Sequence, residues 1–361
     1  MSTVETPAVA TLAHYTTLRL GGPAGRFAEA GTAAELVDAV RAADAGGEPL
    51  LLLGGGSNLV VSDAGFSGTV LRVGSSGWRA LPGWDTADGE LFVEVAAGQN
   101  WDEFVAAMVE QGVGGVECLS GIPGSVGATP IQNVGAYGCE ISEVLVSARC
   151  YDRRAGEVRT LTAADLGFGY RTSVLKGTDT GVVLDVRLAL HTDGLSRPIR
   201  YAELARKLDV PVGTRVPVAD ARAAVLELRR GKGMVLDAGD HDTWSAGSFF
   251  TNPILAEAEA AEALTRISDV VGADVPVPTY PADGGVKLSA AWLIERAGFG
   301  KGHPGPGGRV SLSHKHALAL TNRGGASTAD LLALAREVRD GVHARFGVRL
   351  RPEPLLVNCT L

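Results

Sequence analysis

Gly121-Ile122-Pro123-Gly124-Ser125-Val126-Gly127, continuing through Pro130-Ile131-Gln132-Asn133-Val134-Gly135-Ala136-Tyr137-Gly138, forms a long glycine-rich loop. A loop this long is normally functional or disordered. The aliphatic residues set between its glycines argue against disorder. A second, shorter loop stands upstream: Gly54-Gly55-Gly56-Ser57-Asn58, reached from the apolar run Pro49-Leu50-Leu51-Leu52-Leu53. Bare glycine backbone can turn its N–H groups toward a phosphate. The strand-like Leu59-Val60-Val61 follows it, so this is not the dinucleotide fingerprint in which a helix opens directly after the glycines. Taken alone, the shorter loop is as well explained by a plain tight turn. Two such loops in one domain point to a dinucleotide cradle, one loop for each phosphate. A pair of ordinary connecting loops is the competing reading.

Working outward, the patterns around these loops alternate between strand and helix. Residues 32–45 predict a helix, with Thr32 as its cap, Glu35 three residues on, and Leu36, Val37 and Val40 along one face. Val70–Val73, Leu91–Ala96, Val144–Tyr151, Val158–Leu161 and Val182–Leu190 read as strands. Asp102–Gln111 reads as a helix with Phe104, Val105 and Met108 inward. Prolines 198, 211 and 217 break the pattern over His191–Pro217, which reads as a connection or small insertion. Helices are expected at Val218–Arg230, 254–266 and 329–345, and a strand along Arg309–Thr321. This alternation predicts an α/β fold.

The chain has 361 residues, room for more than one domain and a large core without disulfides. Its 48 glycines follow no G-X-Y period, which excludes collagen. The net charge is −8, and the densest basic stretch is only Arg229-Arg230 with Lys232, so no nucleic acid is expected as a partner. Cys118, Cys139, Cys150 and Cys359 lack C-x-x-C spacing and read as ordinary thiols of a reducing compartment. The first ten residues read as small, polar and mobile. No signal-peptide core and no ~20-residue apolar run are seen, so a cytoplasmic protein without membrane insertion is expected. His314 and His316 lie two apart on the expected strand and share a face. No third ligand stands at suitable spacing, so no metal is expected.

Three further segments carry candidate chemistry. Phe168-Gly169-Tyr170-Arg171-Thr172-Ser173 sets an Arg beside aromatics, and Arg grips carboxylates through two parallel hydrogen bonds. A surface Arg is the plainer alternative. Ala246-Gly247-Ser248-Phe249-Phe250-Thr251-Asn252-Pro253 sets a hydroxyl in apolar surroundings, without the G-x-S-x-G elbow of a hydrolase. A buried turn serine is the plainer alternative there. Arg351-Pro352-Glu353-Pro354 holds a carboxyl in extended chain, a candidate acid or base against the commoner solvated Glu.

Together these segments resemble the UDP-N-acetylenolpyruvoylglucosamine reductase family. Thr17-Leu18-Arg19-Leu20-Gly21-Gly22-Pro23-Ala24 is similar to its opening segment, and Val286–Glu295 to its substrate-domain helix. The two glycine loops, Tyr170-Arg171, Gly247-Ser248-Phe249-Phe250 and Glu353 fall in the family's order from about Thr16 onward. Tyr201 matches the mobile tyrosine of the type with an extra insertion. The chain departs at Arg351 and Pro354-Leu355, where relatives often carry an acidic residue and Val-Arg. Residues 233–245 are also longer than in some relatives.

The resemblance implies an FAD-binding fold of two α/β subdomains, of the vanillyl-alcohol-oxidase kind, and a C-terminal α/β substrate-binding domain. The subdomains would span 1–73 and 74–225, the latter with an insertion near 191–217, and the third domain 226–361. It implies non-covalent FAD, NADPH as co-substrate and UDP-N-acetylglucosamine enolpyruvate as substrate, in a cytoplasmic monomer that makes a peptidoglycan precursor. The flavin contacts it implies are Gly54, Gly55, Gly56, Ser57, Asn58 and Leu59, then Gly121, Ile122, Pro123, Gly124, Gly127, Asn133, Gly135 and Val183. Arg171 would pair with the substrate carboxylate and Glu353 would act on the same group. Ser248 would deliver a proton. Lys232 and Tyr201 would contact the UDP phosphates and uridine, and Asn252 would support the same pocket. Two alternatives stay open: an oxidase of the same fold with covalent flavin, for which Cys118 and Cys139 lie near the loops, and a non-catalytic nucleotide-sugar binder.

Overall fold

The computed structural model describes residues 10–81 and 89–361. The N-terminal stretch read above as mobile lies outside them, apart from Ala10. The chain divides into two compact units.

The first unit takes in Ala24–Gly56 and Ser67–Val235. Its helix Ala33–Gly46 starts where the Thr32 hydroxyl accepts the Glu35 N–H and stops at Gly47, in the left-handed region at φ 65°. Leu36, Val37 and Val40 on its inner face share a cluster with Leu71, Tyr151, Val182 and Leu184. The strand Leu50–Leu53 runs parallel to Thr69–Arg72. That pairing holds the chain straight until it enters the Gly54 loop.

A five-stranded antiparallel sheet forms the rest of this unit's frame, in the order Glu157–Thr162, Leu145–Asp152, Gly181–His191, Glu90–Ala96 and Trp78–Ala80. Bulges fall between Val183 and Asp185 and between Arg187 and Leu188, turning the central strand's side chains across the sheet. Helices Trp101–Glu110, Ala202–Leu208 and Val218–Gly231 contribute Phe104, Met108, Leu204, Ala221 and Val225 to one large core with Val186, Leu188 and Leu190. The segment read as a connection or small insertion at His191–Pro217 is packed, with helix Ala202–Leu208 inside it. Ile199, Leu204 and Val216 are buried, and Ser196 and Ile199 donate to Val216 and Thr214 across it. The long loop is also packed, with Ser125, Val126, Thr129 and Asn133 buried.

The second unit comprises Thr11–Pro23, Ser57–Phe66 and Leu236–Leu361. Helix Thr328–Phe346 runs through it, burying Leu331, Leu334, Ala335, Val338, Val342 and Phe346. Its start is doubly capped. Ser327 and Asp330 form a capping box, and Asp63 accepts from the N–H groups of Thr328 and Ala329 at 2.7 and 3.0 Å. Leu18 and Leu20 are buried in the same core as Phe249 and Phe250. Leu59–Val61 pairs parallel with Leu355–Val357.

Two expectations are corrected here. Residues 309–321 are not one strand but two, Val310–Leu312 and Leu320–Asn322, paired antiparallel. His314 and His316 lie in the turn between them and share no strand face. The His314 ring and its backbone N–H instead meet the Asp242 carboxylate. The helix expected at 254–266 begins at Glu257 and runs to Val271. Ile254-Leu255, just after Pro253, pairs as a short strand with Val286-Lys287.

Candidate functional site

The two glycine loops meet in the first unit. A Cβ placed on Gly55 would lie 2.6 Å from the Cα of Gly124, and one on Gly54 2.6 Å from the Ser125 hydroxyl. Only hydrogen at both Cα atoms permits backbone to lie on backbone there. Gly127 likewise leaves no room beside Ala97, 2.5 Å from the built Cβ. Gly56, Gly121 and Gly124 have φ of 62°, 73° and 127°, values other residues rarely adopt. Two peptide loops thus lie together with little side-chain cover, the environment that an extended pyrophosphate needs. The Gly121 N–H is fixed by Asp102 at 2.6 Å, and Asp102 is held by both terminal nitrogens of Arg222. Burial works to raise the Asp102 pKa, but Arg222 and the Gly121 N–H outweigh it and hold the carboxyl below its ordinary range. Ile122 and Pro123 lie between these fixed points. Val183 is buried in the core at the sheet's first bulge.

Arg171 is bound to the end of the long loop. Its Nη2 donates to the Gly135 carbonyl at 2.6 Å and its Nη1 to the Asn133 carbonyl at 3.4 Å. Arg171 itself has φ 54°, a left-handed conformation costly for a side chain of this size. Asn133, also left-handed at φ 47°, commits its amide N–H groups to Glu140 and the Gly169 carbonyl. Its side chain is therefore occupied within the loop.

A second cluster in this unit gathers Tyr137, Tyr201, Glu203, Arg229 and Lys232. The Tyr137 and Tyr201 rings meet edge to face at 5.5 Å. Lys232 Nζ lies 5.7 Å over the Tyr137 ring and 2.5 Å from Glu203 Oε2. Burial pushes the Tyr137 phenol up to about 12, so it remains a donor at neutral pH. Within the basic stretch at Arg229–Lys232, both Arg229 and Lys232 thus face the surroundings of the Tyr137 ring. This partnership is not visible along the chain, because Tyr137 lies far from Lys232 in sequence.

In the second unit Ser248 and Glu353 lie on neighbouring extended segments. The Glu353 N–H donates to the Phe249 carbonyl at 2.9 Å, and the Thr251 N–H to that of Arg351 at 3.1 Å. Phe249 and Phe250 are buried beside Ser248, and the Phe249 N–H donates to Leu318 at 2.7 Å. Thr17 donates from its hydroxyl to the Ser245 carbonyl at 2.6 Å, pinning the lead-in to Ser248. Asp242, met by His314 and Arg323, pins the loop further upstream. Asn58 reaches the Glu353 carbonyl, and Leu59 pairs with Leu355. The Asn252 carboxamide oxygen accepts the Ala290 N–H at the start of helix Ala290–Arg296. Arg171 thus belongs to the first unit, with Tyr201, Lys232 and most of the loop glycines. Ser248, Asn252 and Glu353 belong to the second, with Ser57, Asn58 and Leu59. Thr17 and Asp102 were not anticipated from sequence, since each acts on a residue distant along the chain or hidden in a loop.

Residues 24–162 match the family described as FAD binding domain. Residues 239–357 match UDP-N-acetylenolpyruvoylglucosamine reductase, C-terminal domain. The UDP-N-acetylenolpyruvoylglucosamine reductase of Saccharopolyspora erythraea is 64% identical over 352 residues, 97% of this chain and 95% of its own. The chain belongs to the UDP-N-acetylenolpyruvoylglucosamine reductase family. That of Thermobifida fusca is 59% identical and covers 97% of each chain. The crystal structure of the UDP-N-acetylenolpyruvylglucosamine reductase from Thermus caldophilus superposes with a TM-score of 0.64 at 25% identity. It covers 97% of this chain and 98% of its own. This protein is accordingly an FAD-binding oxidoreductase with the α/β fold expected of that family. Among the described residues no helix is long and apolar enough to cross a membrane.

Cys118 and Cys139, the cysteines near the loops, are buried free thiols. The thiol of Cys118 is pushed up by its hydrogen bond to Cys139 and by burial, which suppresses the thiolate that attachment chemistry uses.

Proposed function

We propose that this reductase uses NADPH to convert UDP-N-acetylglucosamine enolpyruvate to UDP-N-acetylmuramate, a precursor of peptidoglycan. The observation that carries the reading is the pairing of the Ser248 and Glu353 segments by backbone hydrogen bonds, in a family whose relatives bear this activity in their names. When bound, FAD supplies the hydride that reaches the vinyl carbon. Residues 54–59 and 121–135 would hold it, with Gly54, Gly55 and Gly124 giving its pyrophosphate access to backbone. The subdomain division at residue 73 belongs to the same reading.

As the vinyl carbon gains hydride, negative charge grows on the carbon bearing the carboxylate and spreads into that group. Arg171 would pair with this carboxylate. Its guanidinium is already aimed by the Gly135 carbonyl, so little reorganisation is needed when the charge appears, and such a preorganised donor is worth ~3–4 kcal/mol. Glu353, in its acid form, would donate to the same group. Ser248 would then pass its hydroxyl proton to the carbanion carbon. A serine hydroxyl is a weak acid, but the enolate is a strong base, and positioning supplies much of the rest. Tyr201, Lys232 and Asn252 would hold the UDP moiety. All of these residues lie on one chain, so a monomer suffices.

Replacement of Ser248 by Ala separates the steps. In S248A the flavin band should bleach with NADPH at the wild-type rate. Its return on adding the enolpyruvyl sugar should slow by about 10²–10⁴-fold, the range of a positioned proton donor. Equal slowing of both steps, read by anaerobic stopped-flow absorbance, removes Ser248 from the role of proton donor.

A further inference from the structure

The cation assigned to the UDP phosphates is already occupied. Lys232 Nζ stands 2.5 Å from Glu203 Oε2, and both side chains are about one-third exposed, at 32%. Water and a ligand can therefore reach the pair. We propose that Glu203 is an internal competitor for Lys232, setting the affinity of the site for the ligand's diphosphate. The inference rests on the reading of Lys232 as a phosphate contact.

The arrangement supports an exchange. Lys232 sits just past the end of helix Val218–Gly231 and Glu203 in the first turn of helix Ala202–Leu208, directly after Tyr201. Lys232 meets Glu203 directly, and Arg229, Glu203 and Tyr201 all act on the Tyr137 phenol. Arg229 is largely enclosed. Its Nη2 donates to the Met234 carbonyl, and its Nε is buried without an acceptor among the described residues. Glu203 is the carboxylate that meets Lys232 in this cluster, while Asp102 acts on Arg229. Paired with Glu203, Lys232 offers an incoming anion no net charge, and a phosphate approaching Nζ is repelled by the carboxylate. A bound diphosphate must therefore displace Glu203 from Lys232. The carboxylate can swing away without undocking its helix. A second ion pair, Lys207–Glu227 at 2.5 Å, and the buried Leu204 and Ala205 keep the helix on its neighbour.

The test is calorimetric titration of the FAD-loaded protein with UDP-N-acetylglucosamine, which carries the diphosphate without the enolpyruvyl group. Glu203→Gln should bind it about fivefold more tightly than wild type, as expected for removing one partly exposed charge competitor. In a Lys232→Met background, the same Glu203→Gln change should have no effect. A merely structural role for Glu203 would not produce this dependence on Lys232. Unchanged or weaker binding by Glu203→Gln, with wild-type binding intact, overturns the proposal and leaves the enzymatic reading standing. Failure of wild type to bind UDP-N-acetylglucosamine overturns the assignment of Lys232, and the proposal with it. Retention of the wild-type flavin spectrum in each variant verifies the fold.

Discussion

At the scale of single residues, Arg171 depends on the absence of a side chain at Gly135. A Cβ there would stand 2.9 Å from Arg171 Nη1, 2.8 Å from Glu140 Cγ and 3.0 Å from the Cys139 carbonyl. Two of these neighbours are a charged group and backbone, so the guanidinium must shift. We expect Gly135→Ala to slow the oxidation of reduced flavin by the enolpyruvyl sugar by about 10²-fold, the usual cost of a small misplacement at a reacting centre. Bleaching by NADPH should change far less. A variant with both rates unaltered would detach Arg171 from the carboxylate. Arg171, Ser248 and Glu353 stood out in the sequence because each has a distinctive local context of Gly, Pro or aromatic residues. Glu203 did not. An acidic residue on a short helix looks like any solvated Glu until the fold brings Lys232 to it. Thr17 and Asp102 were hidden for the same reason, since their partners are Ser245 and Gly121.

At the scale of elements, helix Thr328–Phe346 depends on charges at its first turn. Asp330 receives two hydrogen bonds from Arg309, at 2.9 and 2.6 Å, and accepts from the Ser327 N–H. Arg309 first and the Ser327 N–H next hold its carboxyl well below the usual carboxylate range. A carboxyl depressed in the folded state adds stability above its unfolded pKa of about 3.9, and that stability is lost as pH falls toward the folded value. Asp330→Asn should therefore lower the melting temperature at pH 7, and the gap to wild type should narrow as pH drops below about 4. A gap that stays constant down to pH 2 would contradict this. Helices were most legible where a cap marked the start, as with Thr32 and Glu35. The hairpin of Val310–Leu312 and Leu320–Asn322 was misread as one strand because its apolar alternation runs on through the turn, where no Asn-Gly or Gly-Gly pair signals the reversal. The start at Glu257 was missed because Ile254 and Leu255 suit either period, and only their pairing with Val286-Lys287 decides it.

At the scale of the molecule, each unit encloses its own hydrophobic core. Phe104, Met108, Leu188 and Val225 anchor the first, and Phe249, Leu293, Leu334 and Phe346 the second. Chains built this way commonly depart from two-state unfolding. The calorimetric enthalpy should exceed the van't Hoff enthalpy, and equality of the two would show a single cooperative block. The α/β class was legible from alternating strand and helix patterns. The assignment of Thr11–Pro23 and Ser57–Phe66 to the C-terminal unit was not, because it depends on Leu18, Leu20 and Val60 entering a core built by residues more than 180 positions later. The proposed function requires one flavin site that NADPH reduces and an enolpyruvyl nucleotide sugar reoxidises. Anaerobic stopped-flow absorbance of the purified protein follows both steps. The yellow band should bleach with NADPH and return only when UDP-N-acetylglucosamine enolpyruvate is added. A band that bleaches but returns only with oxygen would contradict the substrate assignment while leaving the flavin fold in place.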